Sequence, residues 1–324
     1  MRAVVVDRFG PSDVVRVAEV PRPQPRAGEV LVRVEAAAVT AGDARLRAAR
    51  FPAGFGVVAR PATGFRRPRV GILGGCLSGT VEAVGAGVTS FAPRDEVAGF
   101  TGGRMRAHAE YAIADAGSLA RMPAGVTHAD AAGILFGGSA ALFFLRDRAK
   151  LAAGETALIN GASGSVGSAA VQFARAVGAR VTGVASARNQ DFVRRIGAAH
   201  AIDYAAASVG ELGERFDVVL DAVGTIPGRT GLRLLSAQGR LVLVSAGLSD
   251  TVWAGIAGRG RVFAGVAPER GTDVAVLLEL VAAGKLDAVT HVAGGLDAAA
   301  DAHRLVDSGR KVGNIVVLPH GNPA

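Results

Sequence analysis

A chain of 324 residues that is 50% apolar is long enough for two ordinary domains and can bury a large core, and its 45 glycines with few aromatics favour a turn-rich α/β protein over a fibrous or disordered one. The formal charge of +8 is almost all arginine, because Lys150, Lys285 and Lys311 are the only lysines; the arginines are scattered among Asp, Glu and Gly, which argues against a nucleic-acid partner. Cys76 is the only cysteine, which excludes an intrachain disulfide and a cysteine zinc cluster.

The first hundred or so residues are strand-like. Short β-branched runs at residues 1–7, 14–19, 29–38, 80–84, 95–99 and 109–114 are separated by turn clusters such as the proline-rich 21–28, and predict a β-rich domain, a distorted barrel. Residues 1–10 lack the apolar core of a signal peptide. A strongly apolar uncharged stretch, 131–145, is shorter than a bilayer crossing, contains Gly133, Gly137 and Gly138, and is flanked by Asp130 and Arg146. It reads as a buried helix, so a cytoplasmic protein with no membrane partner is expected. Thr127 is placed to cap that helix, with Asp130 in its first turn. From about residue 155 strands and helices alternate. Strands are predicted at 156–160, 180–185, 201–203, 218–221, 241–245 and 261–264, and helices at 166–177, 189–196 and 273–283. Strands so continuous in Val, Leu and Ile suit a doubly wound parallel sheet covered on both faces. A last strand, 314–318, is free to return to the first domain.

The strongest motif is Asn160-Gly161-Ala162-Ser163-Gly164-Ser165-Val166-Gly167, which follows a strand and opens a helix. Ala162, Gly164 and Gly167 fit the A-x-G-x-x-G form of the dinucleotide fingerprint. A small residue allows the tight turn, Gly164 lets the backbone approach a diphosphate, and Gly167 lets the helix pack on the sheet; free amides at the helix start face the anion. The next strand ends Val184-Ala185-Ser186-Ala187-Arg188-Asn189 with no carboxylate to bond a ribose 2′-hydroxyl. Ser186 can hydrogen-bond a 2′-phosphate and Arg188 can neutralise it, which favours NADP over NAD. Gly161 to Ser165 loosely resembles a nucleophile elbow around Ser163, but Ser165 stands where G-x-S-x-G needs glycine. Catalytic zinc needs three protein ligands, and the lone cysteine has no histidine near it in sequence. Without a Lewis acid, hydride transfer is expected to an acceptor that is already electron-poor.

Residues 1–5 and 25–34, the run Gly79-Thr80-Val81-Glu82-Ala83-Val84-Gly85, Asp95-Glu96-Val97, the turn at 160–167, Ile202-Asp203-Tyr204, the stretch 217–224 and Gly313-Asn314-Ile315-Val316 together resemble the zinc-free quinone oxidoreductase branch of the medium-chain dehydrogenase/reductase superfamily. The resemblance spans essentially the whole chain. It implies a GroES-like β-barrel catalytic domain, 1–126 completed by 285–324, around a Rossmann domain at 127–284 that holds NADPH. Carried over by position, Thr40 lies near the nicotinamide, and Gly75 and Cys76 stand where zinc-dependent relatives have a His-Glu pair. Ser139 lies on the nicotinamide side, and Ser186 and Tyr204 on the 2′-phosphate side. Val223 joins the cofactor-binding set, Ser245 and Gly247 line the far side of the nicotinamide, and Asn314 closes the site.

Two departures from the resembled pattern matter. The usual phosphate-binding lysine falls at Asn189, so Arg188 must serve from one position away. Related enoyl-thioester reductases use a tyrosine after the Thr40 position, yet the only tyrosines are Tyr111 and Tyr204, which leaves water or Asp43 as proton source. The loop from Gly42 to Arg69 instead carries Arg45, Arg47, Arg50, Arg60, Arg66, Arg67 and Arg69, which suit either an acidic substrate or a solvated lid. The expected activity is NADPH-dependent reduction of a quinone or α,β-unsaturated carbonyl. The alternatives are an enoyl-thioester or tailoring reductase and an NADPH-binding protein with little turnover. The expected partner is a small electrophile, with a homodimer formed through the apolar edge strand 261–266.

Overall fold

The computed structural model describes residues 1–51, 53–257 and 260–321. Strands β1 (Arg2–Val6) and β2 (Val15–Glu19) form an antiparallel ribbon. Strand β3 (Glu29–Ala38) follows, then helices α1 (Ala41–Ala48) and α2 (Phe55–Thr63), then strands β4 (Cys76–Val84), β5 (Glu96–Phe100), β6 (Tyr111–Asp115) and β7 (Leu119–Arg121). Helix α3 (His128–Leu142) leads into β8 (Thr156–Asn160), α4 (Ser165–Val177), β9 (Arg180–Ala185), α5 (Gln190–Arg195), β10 (His200–Asp203) and β11 (Phe216–Asp221). Next come α6 (Gly228–Arg233), β12 (Leu235–Leu243), α7 (Leu248–Ala257), β13 (Val262–Ala264) and α8 (Gly271–Ala282). The chain closes with β14 (Thr290–Gly294), α9 (Ala299–Asp307) and β15 (Asn314–Val317).

Two larger sheets result. One is parallel, in the order β10-β9-β8-β11-β12-β13; the other runs β14-β15-β3-β4-β5-β7, with β6 paired to β3. The chain therefore has an α/β fold with a GroES-like barrel and a Rossmann sheet. The C-terminal strand β15 pairs antiparallel with the end of β3, so the last residues return to the barrel. The parallel strands bury both faces, as their Val, Leu and Ile content requires: Leu158, Ile159, Val218, Val219, Leu220 and Leu241 are all fully enclosed.

Helix α3 joins the two sheets. Thr127 caps it by accepting the Asp130 N–H, and its residues pack on β3, β4, α4 and α8. With the π-helical turn Phe143–Arg148 it is long and apolar enough to cross a membrane, but most of its apolar stretch is buried in the protein. Gly137 is needed for this packing. A Cβ there would stand 2.3 Å from the carbonyl oxygen of Ser165 at the start of α4.

Several elements differ from the sequence expectation. Helices α1 and α2 occupy a segment read as loop, β4 begins at Cys76, and β7, β14 and α9 were not anticipated. The reason for α1 is local. Thr40 and Asp43 form a reciprocal capping box, and the Ala, Arg and Leu content that follows has high helix propensity. Alternation of strands on either side hid this signal.

Candidate functional site

The chain leaves β8 toward β9 on one side, while β11 lies on the other, so the sheet order reverses between β8 and β11. Such a switch point opens a crevice beyond the strand ends. Here the gap is bridged by side chains. Asn160, the last residue of β8, donates through Nδ2 to Asp221 Oδ1 and to Thr225 Oγ1, both at 2.9 Å. Asp221, the last residue of β11 and fully buried, also accepts the backbone N–H groups of Val223, Gly224 and Ile226 at 2.8–2.9 Å. A carboxylate with four donors organises the turn after β11 and needs no cation to be tolerated. Its organising role escaped the sequence reading, although a carboxylate that ends an apolar strand was the available signal.

The turn between β8 and α4 carries the glycine motif. Ala162 is buried, and both Gly161 and Ala162 donate to the Val184 carbonyl. A Cβ on Gly167 would lie 2.0 Å from the Gly161 oxygen, so only glycine lets α4 start so close to the strand. At Gly164 a Cβ would meet nothing nearer than the Gly161 oxygen at 3.5 Å, which marks an open side. Helix α4 begins at this residue without a side-chain cap; Gly164 is bridged in parallel to Gly313, and the first-turn N–H groups of Val166 and Gly167 have no partner within a helix. An uncapped helix start beside an open glycine is a fit for an oxyanion, and hence for a dinucleotide diphosphate.

A C-terminal strap crosses this turn. Gly313 N–H donates to the Ser163 carbonyl at 2.9 Å, and Ser165 Oγ donates to Asn314 Oδ1. Asn314 is buried, and its Nδ2 donates to the Ala288 carbonyl at 2.6 Å. Asn189 Nδ2 bonds Ser163 Oγ at 3.1 Å, and Arg188 Nη2 reaches the Arg310 carbonyl at 2.9 Å. Lys311 Nζ donates to the Gly313 carbonyl at 2.5 Å, and burial lowers its pKa to about 8. Lys311 was not singled out in the sequence, where nothing links it to a motif 150 residues earlier.

The other expected residues fall into two groups. At the tips of β9 and β10, Ser186 is half-buried and opens a 3₁₀ turn, Arg188 is exposed, and Tyr204 is exposed with its N–H on the Ala185 carbonyl. Val223 is exposed on the turn held by Asp221. Ser139 is buried on α3, and its Oγ has no partner among the described residues. Ser245 donates to the Ala222 carbonyl at 3.2 Å. Ser245 and Gly247 line a cleft of about 660 Å³, together with Ala41, Ala44, Arg45 and Phe51 from the barrel side. Thr40 sits buried just before α1, and its Oγ1 donates to Asp43 Oδ2 at 2.6 Å. Asp43 also accepts the N–H groups of Thr40 and Gly74, both at 2.8 Å, and does not line the cleft. Cys76 is enclosed at the start of β4, where burial raises its thiol pKa. Among the described residues no three His, Cys, Asp or Glu side chains are grouped so as to hold a metal ion.

Two family models match the chain: an alcohol dehydrogenase GroES-like domain over residues 26–148 and a zinc-binding dehydrogenase over residues 196–317. A quinone oxidoreductase of Lama guanicoe is 31% identical over 258 residues, covering 76% of this chain and 73% of its own. A pikromycin polyketide synthase component of Streptomyces venezuelae is 34% identical over 262 residues; the match takes in 75% of this chain but only 7% of that protein's length. The structure is similar to that of a quinone oxidoreductase from Coxiella burnetii, with a TM-score of 0.87 and 27% identity over 98% of this chain and 99% of the other. A mycobacterial protein solved with NADPH aligns with a TM-score of 0.80 at 27% identity, over 98% of this chain and 100% of its own.

Proposed function

The chain belongs to the quinone oxidoreductase branch of the medium-chain dehydrogenase/reductase superfamily, and from that premise we propose that it reduces quinones or α,β-unsaturated carbonyl compounds with NADPH and without zinc. The observation that carries the reading is the uncapped start of α4 at an open glycine, beside the switch-point crevice. Bound NADPH would supply the hydride.

The protein's own residues have separable tasks. The turn 161–167 holds the diphosphate through backbone amides, and the strap 310–314 fixes that turn through Ser163 and Ser165. Arg188 and Lys311 bring positive charge to the phosphate end, while the tip of β9 offers no carboxylate to repel a 2′-phosphate. The Ser139 hydroxyl, buried without a partner among the described residues, is available to the carboxamide of the nicotinamide. Asp43 already accepts three donors, so its role is to hold Thr40 rather than to give up a proton; the proton comes from water. Zinc independence is supported by Gly75 and by the enclosed Cys76 thiol. The half-buried edge strand β13, next to the exposed Ile256 and Val266, supports a homodimer.

The test is to mix the protein and NADPH with a panel of quinones and enones and follow nicotinamide absorbance. Turnover that persists after dialysis against a zinc chelator is expected. Flat traces with tight NADPH binding would favour a binding protein with little turnover. Stoichiometric zinc whose removal abolishes activity would overturn the metal-free reading.

A further inference from the structure

Between Asp43 and Glu82 the sequence has seven arginines and no carboxylate. The structure gives three of the seven a structural task. Arg47 is fully buried and bonds Asp307 and the Gly10 carbonyl, and Arg50 shares Asp307 at 2.8 Å. Arg60 donates to the Phe65 carbonyl at 2.8 Å and lies over the Phe9 ring. Arg45, Arg66, Arg67 and Arg69 have no carboxylate partner among the ion pairs of the described residues.

These four are ordered along one path. Arg45 lines the cleft beside Phe51. The segment then crosses to the parallel-sheet side, where Ala53 accepts the Leu248 N–H at 2.8 Å, and the nine residues of α2 follow. At 1.5 Å per residue that helix is about 13 Å long. The turn beyond it is pinned by the Arg69 N–H on the Thr63 carbonyl at 2.9 Å and by the Arg60 bond to Phe65. This pinning leaves Phe65 68% exposed, with Arg66, Arg67 and Arg69 exposed beside it. An exposed aromatic ring with three exposed arginines next to it in sequence is suited to a nucleobase with phosphates: the ring stacks and the arginines take the oxyanions.

We propose that the Phe65–Arg69 turn binds the phosphorylated nucleotide handle of an electrophilic substrate whose reactive end enters the cleft past Arg45, as an acyl group carried on coenzyme A would. The inference rests on the proposed reductase function for its reacting end, but the handle site stands on its own residues. Charge favours this occupant, because the face offers arginine without a competing carboxylate from its own segment.

The test uses one acyl group on two carriers. With NADPH, kcat/KM is measured for an enoyl thioester of coenzyme A and for the same enoyl group on N-acetylcysteamine, which has no phosphate, with benzoquinone as a third acceptor. The coenzyme A ester is expected to be preferred by at least about tenfold. That preference should shrink in about 0.5 M KCl and vanish in an Arg66→Ser, Arg67→Ser, Arg69→Ser variant whose melting temperature and benzoquinone rate report that it is folded. Equal kcat/KM for the two thioesters, or a preference that survives in the variant, would overturn the proposal. So would a preference confined to the same acyl group on an acidic carrier protein. Calorimetric titration with adenosine 3′,5′-bisphosphate, in protein saturated with NADPH, separates the two ideas. Binding to the wild type but not the variant supports the handle site even if no acceptor is turned over, and absence of binding to the wild type overturns it while leaving quinone reduction intact.

Discussion

Gly167 has no room for a side chain. Because its Cβ would stand 2.0 Å from the Gly161 oxygen, Gly167→Val must push α4 off the strand and move the amides at the start of α4. NADPH binding followed by fluorescence titration is expected to disappear, with a lowered melting temperature. Asp221→Asn keeps the shape but replaces one acceptor with a donor facing N–H groups. It should cost about 1–3 kcal/mol in urea unfolding and loosen the turn that carries Val223. Lys311 is a cation below its pKa of about 8 and neutral above it. Affinity for NADPH should therefore decline as pH rises past about 8, and Lys311→Met should weaken it roughly tenfold at pH 7. Unchanged titrations of the Lys311→Met protein would remove the lysine from the site.

At the level of elements, the decisive contact joins a C-terminal strand to a turn far earlier in the chain. The Gly313 bond to Ser163 and the Ser165 bond to Asn314 hold β15 against the start of α4, while β15 itself pairs with β3 of the barrel. One strap thus couples the phosphate turn to the end of β3, where Thr40 follows. Gly313 sits at φ 59°, and a Cβ there would be 2.2 Å from the Val289 oxygen, so the strap tolerates little else at that position. Strand β13 is the other element with a consequence. Covering its edge and the exposed Val266 by a second copy predicts a dimer in light scattering, which Val266→Glu should weaken; a monomer mass for the wild type would remove that claim.

Across the whole molecule, the barrel interior hides an unusual amount of polarity. His303 on α9 is fully buried with neither ring nitrogen bonded, its ring 5.8 Å from that of His108, in the company of Asp43, Arg47 and Asp307. Burial first, then the neighbouring His108, lowers its pKa to about 3, against 6.5 for the free side chain. The folded protein keeps this histidine neutral, while the unfolded chain takes up a proton below pH 6.5. Stability is thus complete above 6.5 and falls as pH drops below it. Urea midpoints measured from pH 7.5 to 4.5 check this, and His303→Phe should flatten the acid limb of the curve.

The sequence by itself determined the fold class and the glycine turn, because both are written locally: period and apolar content set the strands, and spacing within eight residues sets the turn. It also determined that one cysteine leaves little from which to build a zinc site. The tertiary structure alone decided which distant residues share that turn. Asp221 meets Asn160 because β11 lies beside β8, and Asn314 meets Ser165 because the strap before β15 bridges to Gly164 from the other sheet. It alone revealed α1, whose capping box was masked by flanking strands, and showed Asp43 accepting from Thr40 and Gly74. Local propensity acts over a few residues, whereas the partners of a buried carboxylate or a strap are chosen by packing across the whole chain.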